Sequence, residues 1–132
     1  MKRYALPLIV VLALAGCATA DPPSAHELEQ AELANRTLIE KVTAKCPALY
    51  GSDIGDEGKS LLLDTQGSDD ATGLNMTQLD CILIRLETPD STRSLIDSTR
   101  ALDGRQEAKW DSITATWSYH PDSGLNMVIV EE

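Results

Sequence analysis

Apolar residues recur at helical spacing in three stretches of the chain and alternate with polar ones in a fourth. From Ser24, the positions Leu28, Ala31, Leu38, Ile39, Val42 and Cys46 form one stripe, interrupted at Asn35. Ser24 followed by Glu27 is a capping-box pair, and Pro47 is a stop. The pattern predicts a helix from Ser24 to about Lys45, with Glu32 and Arg36 as a favourable i,i+4 pair. A second helix is predicted over 75–88, capped by Asn75 or Thr77. Its apolar face is Leu79, Ile82, Leu83 and Leu86, widened by Cys81 and Ile84. A third starts at Asp90 and stops at Asp103-Gly104. Ser-Thr-Arg recurs there at 91–93 and 98–100, which puts Leu95 and Leu102 on one face.

The last third alternates. Ile113, Ala115, Trp117 and Tyr119 share one strand phase within 108–119, and Lys109 and Asp111 fall in the same phase near its start. Pro121-Asp122-Ser123-Gly124 is a turn, and 125–130 returns as a second strand. A lone hairpin is marginal in water, so it must pack on the helices. The short apolar run Ser60-Leu61-Leu62-Leu63-Asp64 is a candidate third strand. Gly-Leu-Asn-Met occurs at 73–76 and at 124–127, once opening a predicted helix and once a predicted strand, so the match reads as chance. The expected fold class is α+β: about three helices on a small antiparallel sheet with a C-terminal β-hairpin and one disulfide.

The N-terminus follows a different rule. Lys2-Arg3 precedes an uncharged segment from Tyr4 to Gly16, which ends in Leu14-Ala15-Gly16-Cys17. A basic start, a short apolar run and small residues before a cut make an export signal. The placement of Cys17 directly after the small residues resembles the lipobox of bacterial lipoproteins. That resemblance implies cleavage between Gly16 and Cys17 and a lipidated Cys17 carrying acyl chains such as palmitate. Competing readings are an uncleaved membrane helix and an ordinary cut near Ala20. Tyr4 to Ala20 is at the lower limit of about 17 residues for a span, and Pro7 weakens a helix there. The organisation expected is a signal peptide over 1–16, a lipidated residue and short tether over 17–23, and a single domain over 24–132. The chain would then sit on the outer side of the cell membrane, anchored by lipid, or on an outer membrane if the host has one.

Charge narrows the partners. The chain has 132 residues and a formal charge of −10; removing Lys2 and Arg3 from its 11 basic residues leaves 9 against 21 acidic ones, a balance of −12. Nucleic acid is disfavoured, because binding it requires a basic face. The membrane is reached through Cys17 rather than through the acidic body, and a basic protein partner is electrostatically favoured.

With Cys17 on lipid, Cys46 and Cys81 remain. Outside the cytoplasm two thiols in a small domain usually pair; the alternative is a metal or redox pair, for which no CxxC exists and both histidines are distant in sequence. Asp53, Asp56, Glu57, Asp69 and Asp70 resemble a cation loop in composition but lack EF-hand spacing, so no metal or other cofactor is assigned. No G-x-S-x-G is present, and His120 sits in a predicted turn, so no catalytic residue is assigned either. Trp110, Trp117, Tyr119 and His120 are the candidate interaction residues. The tryptophans read either as core anchors or as a binding platform; because the two have opposite parity on one strand, at least one is expected to reach the surface unless a bulge intervenes. The run Trp117-Ser118-Tyr119-His120-Pro121, with Gly124-Leu125 after it, is loosely similar to the C-terminal part of small actinobacterial lipoproteins, a resemblance that brings no activity with it.

The expected function is a non-enzymatic, lipid-anchored envelope protein. It would act by protein–protein contact through the hairpin or the acidic loop, and one candidate partner is a basic wall-active enzyme. The alternative is a small-ligand carrier or enzyme with a pocket between helices and sheet. A deep pocket containing His120 or an exposed Trp110 would favour that alternative; a filled core there would count against it.

Overall fold

A computed structural model describes residues 22–46 and 50–132. The predicted signal peptide, Cys17 and most of the tether lie outside the described residues. The described chain forms α1 (Ala25–Asn35), α2 (Leu38–Thr43), β1 (Ser52–Gly55), β2 (Ser60–Asp64), α3 (Met76–Arg85), α4 (Asp90–Ser98), β3 (Gln106–Trp110), β4 (Ile113–His120) and β5 (Gly124–Glu131). The five strands make one antiparallel sheet in the order β1-β2-β5-β4-β3. The fold is α+β, as the periodicities predict.

One sheet face carries the core. Leu61, Leu63, Ile113, Ala115, Trp117, Met127 and Ile129 project from it into a single cluster with Ile39 and Val42 of α2, Leu79, Ile82 and Leu83 of α3, and Ile96 of α4. The predicted stripe of α3 is the buried one, apart from Ile84, which is exposed. Asn75 Oδ1 accepts from the Gln78 N–H at 3.0 Å and Gln78 Oε1 accepts from the Asn75 N–H at 2.9 Å, a complete capping box. Cys46 and Cys81 are joined, tying the end of α2 to the middle of α3.

Three element boundaries differ from the sequence reading. The first helix is two helices. Arg36 and Thr37 are extended, and a second capping box, Thr37 with Glu40, starts α2. The stripe read through Asn35 therefore splits, and Leu28 and Ala31 bury nothing. α1 keeps its Ser24–Glu27 capping box and the Glu32–Arg36 pair at 3.9 Å, yet none of its residues is buried. The third helix stops at Ser98, because Thr99 turns extended. Its buried residue is Ile96, while Leu102, in a separate 3-10 turn over Ala101–Asp103, is 97% exposed.

The third difference decides the fate of the tryptophans. The predicted strand 108–119 is two strands joined by a two-residue loop at Asp111-Ser112. Trp110 pairs with Ile113 across it, and Asp111 takes the left-handed conformation at φ 45°. A reversal between the two tryptophans cancels their opposite parity, so both rings point into the core. Lys109 and Asp111, polar residues in an apolar phase, were the trace of this turn.

The two Gly-Leu-Asn-Met copies share a location. Leu74 bridges Thr65 on one side of the chain leaving β2, and Leu125 brackets the same residue on the other. The Thr65 N–H donates to the Leu125 carbonyl at 2.9 Å, and the Gln66 N–H donates to the Leu74 carbonyl at 3.1 Å. Gly73 and Gly124 both have positive φ, and a Cβ on either would fall within 3 Å of this backbone. The repeated tetrapeptide thus supplies two similar clamps on one segment.

Candidate functional site

The four singled-out interaction residues divide between core and surface. Trp110 is 8% exposed and Trp117 1%. The Trp110 indole N–H donates to the Leu86 carbonyl, and that of Trp117 to Thr99 Oγ1, each at 2.9 Å. Both tryptophans are core anchors, their polar edges satisfied where α3 and α4 end. Tyr119 is partly exposed. His120 is exposed, with Nδ1 accepting from the Asp122 N–H at 3.3 Å and lying 3.5 Å from the Asp122 carboxylate.

The acidic groups of 53–70 do not meet in one loop. The β1–β2 hairpin separates them. Asp56 and Glu57 sit at its turn, while Asp69 lies at the opposite end of the sheet, its N–H donating to the Asp122 carbonyl at 3.0 Å. Among the described residues, no three His, Cys, Asp or Glu side chains converge as a metal site would require.

Among the described residues, no helix covers the second sheet face. Register lines up Asp53, Leu62, Val128, Thr116 and Glu107 in one row across all five strands. A neighbouring row holds Asp64, Asn126 and Ser118. Leu62 is 46% exposed and Val130 37%. Arg105, just before β3, lines the same hollow as Asp53, Asp64 and Asn126, a concavity of about 320 Å³ floored by Leu62 and Val128. Asp64 is its most unusual group. Its Oδ1 is buried without a hydrogen-bond partner, and burial, with Asp70 adding to it, holds its carboxyl above the usual aspartate range.

A second hollow, of about 410 Å³, lies between the ends of α3 and α4 and the β4–β5 end of the sheet. Leu79, Ile96 and Leu125 floor it, Met76 and Tyr119 wall it, and Arg100 stands at its mouth. Neither His120 nor Trp110 lines it.

No helix among the described residues is long and apolar enough to cross a membrane. No protein-family model, curated protein or solved structure matches the chain. The residues of the outer-face hollow come from four strands and the approach to β3, so no local motif announces them. Asp53 stands out in the sequence by its place among clustered acidic residues, whereas Asp64 and Arg105 carry no separate signal.

Proposed function

We propose that this protein is a non-enzymatic, lipid-anchored component of the cell envelope, moored through Cys17, that works by binding another protein. The observation that carries the reading is the sheet face that no described helix covers. Leu62 is open to solvent in a row edged by Asp53 and Glu107, and Val130 in the next row, which ends at Lys109, while most of the opposite face is engaged in the core. A row with a carboxylate at each end suits a basic partner, and the overall acidic charge would steer one toward it. α1 fits the mooring. A helix of eleven residues with no buried side chain acts as a spacer of about 16 Å between tether and body.

Binding to lysozyme, a basic wall-active hydrolase, tests the partner by calorimetry on the full chain. The expected result is binding at low salt that weakens about tenfold toward physiological ionic strength. It should be lost in Leu62→Lys and kept in Leu102→Lys. Absence of binding at low salt removes this partner class. Intact mass of the native product, wild type against Cys17→Ser, tests the anchor.

The second reading, a small-ligand carrier, rests on the hollow beside Tyr119 alone, since Trp110 is in the core and His120 does not line it. Its size is in the range of small-molecule sites.

A further inference from the structure

We propose that the concavity on the outer sheet face binds a small zwitterion, with its ammonium at Asp64, its carboxylate at Arg105 and its apolar stem on Leu62 and Val128. This does not depend on the lipid anchor or on a protein partner.

The geometry separates opposite charges across an apolar floor. Asp64 and Asp53 stand on the β1–β2 side, Arg105 on the β3 side, and Asn126 and Thr116 lie between them. β2 and β3 are three strand positions apart, or about 14 Å at a spacing of about 4.8 Å. Among the described residues, neither Asp64 nor Arg105 has an ion-pair partner. The Arg105 stem closes part of the distance. Two charge-assisted hydrogen bonds of about 2.8 Å close more, which leaves room for one small molecule. A volume of about 320 Å³ suits an amino acid or a short peptide.

The state of Asp64 supplies the chemical reason. One carboxylate oxygen is sealed and unpartnered, so its negative charge is under-stabilised in the empty protein. An ammonium at the other oxygen offsets that deficit. A purely cationic ligand would face Arg105, and a purely anionic one would face Asp53 and Asp64. Only a molecule carrying both charges matches the whole hollow. Asn126 can contribute an amide donor and acceptor, and the Thr116 hydroxyl can do both.

Amide-resolved NMR titration of the full chain tests this with four probes at neutral pH: norleucine, N-acetylnorleucine, norleucine amide and the dipeptide Leu-Leu. Saturable shifts at the Leu62, Thr116 and Asn126 amides are expected with norleucine or with Leu-Leu, and whichever binds tighter identifies the source as free amino acid or peptide. Removing the ammonium by acetylation, or the carboxylate by amidation, should weaken binding at least about tenfold, one charge-assisted interaction's worth. Asp64→Asn and Arg105→Gln should each do the same, whereas Asp97→Asn, in the other hollow, should change nothing. The proposal is overturned if neither zwitterion gives saturable shifts, if the capped probes bind as well as the free ones, or if both Asp64→Asn and Arg105→Gln bind like wild type. The probes act on unaltered protein, so a folding defect in a variant cannot mask the answer.

Discussion

Trp117 and Thr99 are locked to each other inside the core. The indole N–H donates to Thr99 Oγ1 at 2.9 Å, and the Thr99 hydroxyl donates onward to the Leu95 carbonyl at 2.7 Å. One threonine thus satisfies the buried edge of the largest core side chain and fixes the end of α4. Thr99→Val keeps the shape but leaves the indole N–H without a partner. The expected loss is about 1–3 kcal/mol, read as a lower urea midpoint with an unchanged m-value.

Glu131 reaches from the last strand to the start of α2. Its carboxylate accepts from the Leu38 N–H at 2.8 Å and from the Ile39 N–H at 3.4 Å, beside the Thr37–Glu40 capping box. An anion at a helix N-terminus with two amide donors is favourable. Glu131→Ala should cost about 1 kcal/mol and speed hydrogen exchange at Leu38 and Ile39 while leaving α3 amides protected.

The Cys46–Cys81 bond closes a loop of sequence separation 35. In the chain-entropy model such a closure contributes about 3–4 kcal/mol. The double variant Cys46→Ala, Cys81→Ala should lose that amount in equilibrium unfolding. The wild type should show the same loss only when reductant is present.

Glycine substitution separates crowding from backbone strain. A Cβ on Gly124 would lie 2.3 Å from the Thr65 carbonyl oxygen, whereas one on Gly104 meets nothing within 4 Å; both residues have positive φ. Gly104, at φ 68° and ψ −153°, lies in a region that only glycine adopts readily, so Gly104→Ala should cost only that backbone penalty, about 1–3 kcal/mol. Gly124→Ala must also displace backbone and should cost clearly more. Equal midpoints for the two variants would contradict the clamp at Thr65.

Asp64 gives the fold a pH dependence of stated sign. Its carboxyl titrates above the usual aspartate range because of burial and then Asp70. A raised folded value favours the protonated form, so its contribution is fully present below the unfolded pKa and is lost as pH rises through the folded one. Asp64→Asn should then melt higher than wild type at neutral pH, with the difference vanishing in acid. Asp103 runs the other way. Its hydrogen bonds from Arg100 lower its pKa, so what it contributes is present above the unfolded value and fades as pH falls through the folded one.

Where local signals agreed, the sequence was legible. α3 has a capping pair, an uninterrupted stripe and a following proline, and its buried stripe is the one read, apart from Ile84. The β4–β5 hairpin was equally clear. The first helix misled because its stripe could be continued past Asn35 on spacing alone, although Thr37 and Glu40 already spelled a new start. Trp110 and Trp117 misled because a two-residue loop without glycine, Asp111-Ser112, carries a weak turn signal while reversing every side chain beyond it. β1 was missed outright, since Ser52-Asp53-Ile54-Gly55 has a single apolar residue and is an edge strand. The outer-face concavity lay beyond local reading for a different reason. Asp64, Arg105 and Asn126 become neighbours only through strand order and register, which no short window of sequence contains.

The Glu131 latch on α2 also has a mechanical meaning. Were the chain pulled from its N-terminal side, tension along α1 would arrive at Thr37, one residue before the amides that Glu131 holds. If that latch gives way, α2 can peel only as far as Cys46, where the sulfur bridge passes the strain to α3 in the middle of the body. Freeing α2 would also draw Ile39 and Val42 out of the core, so the latch and that buried pair would yield together before the sulfur bridge takes the load.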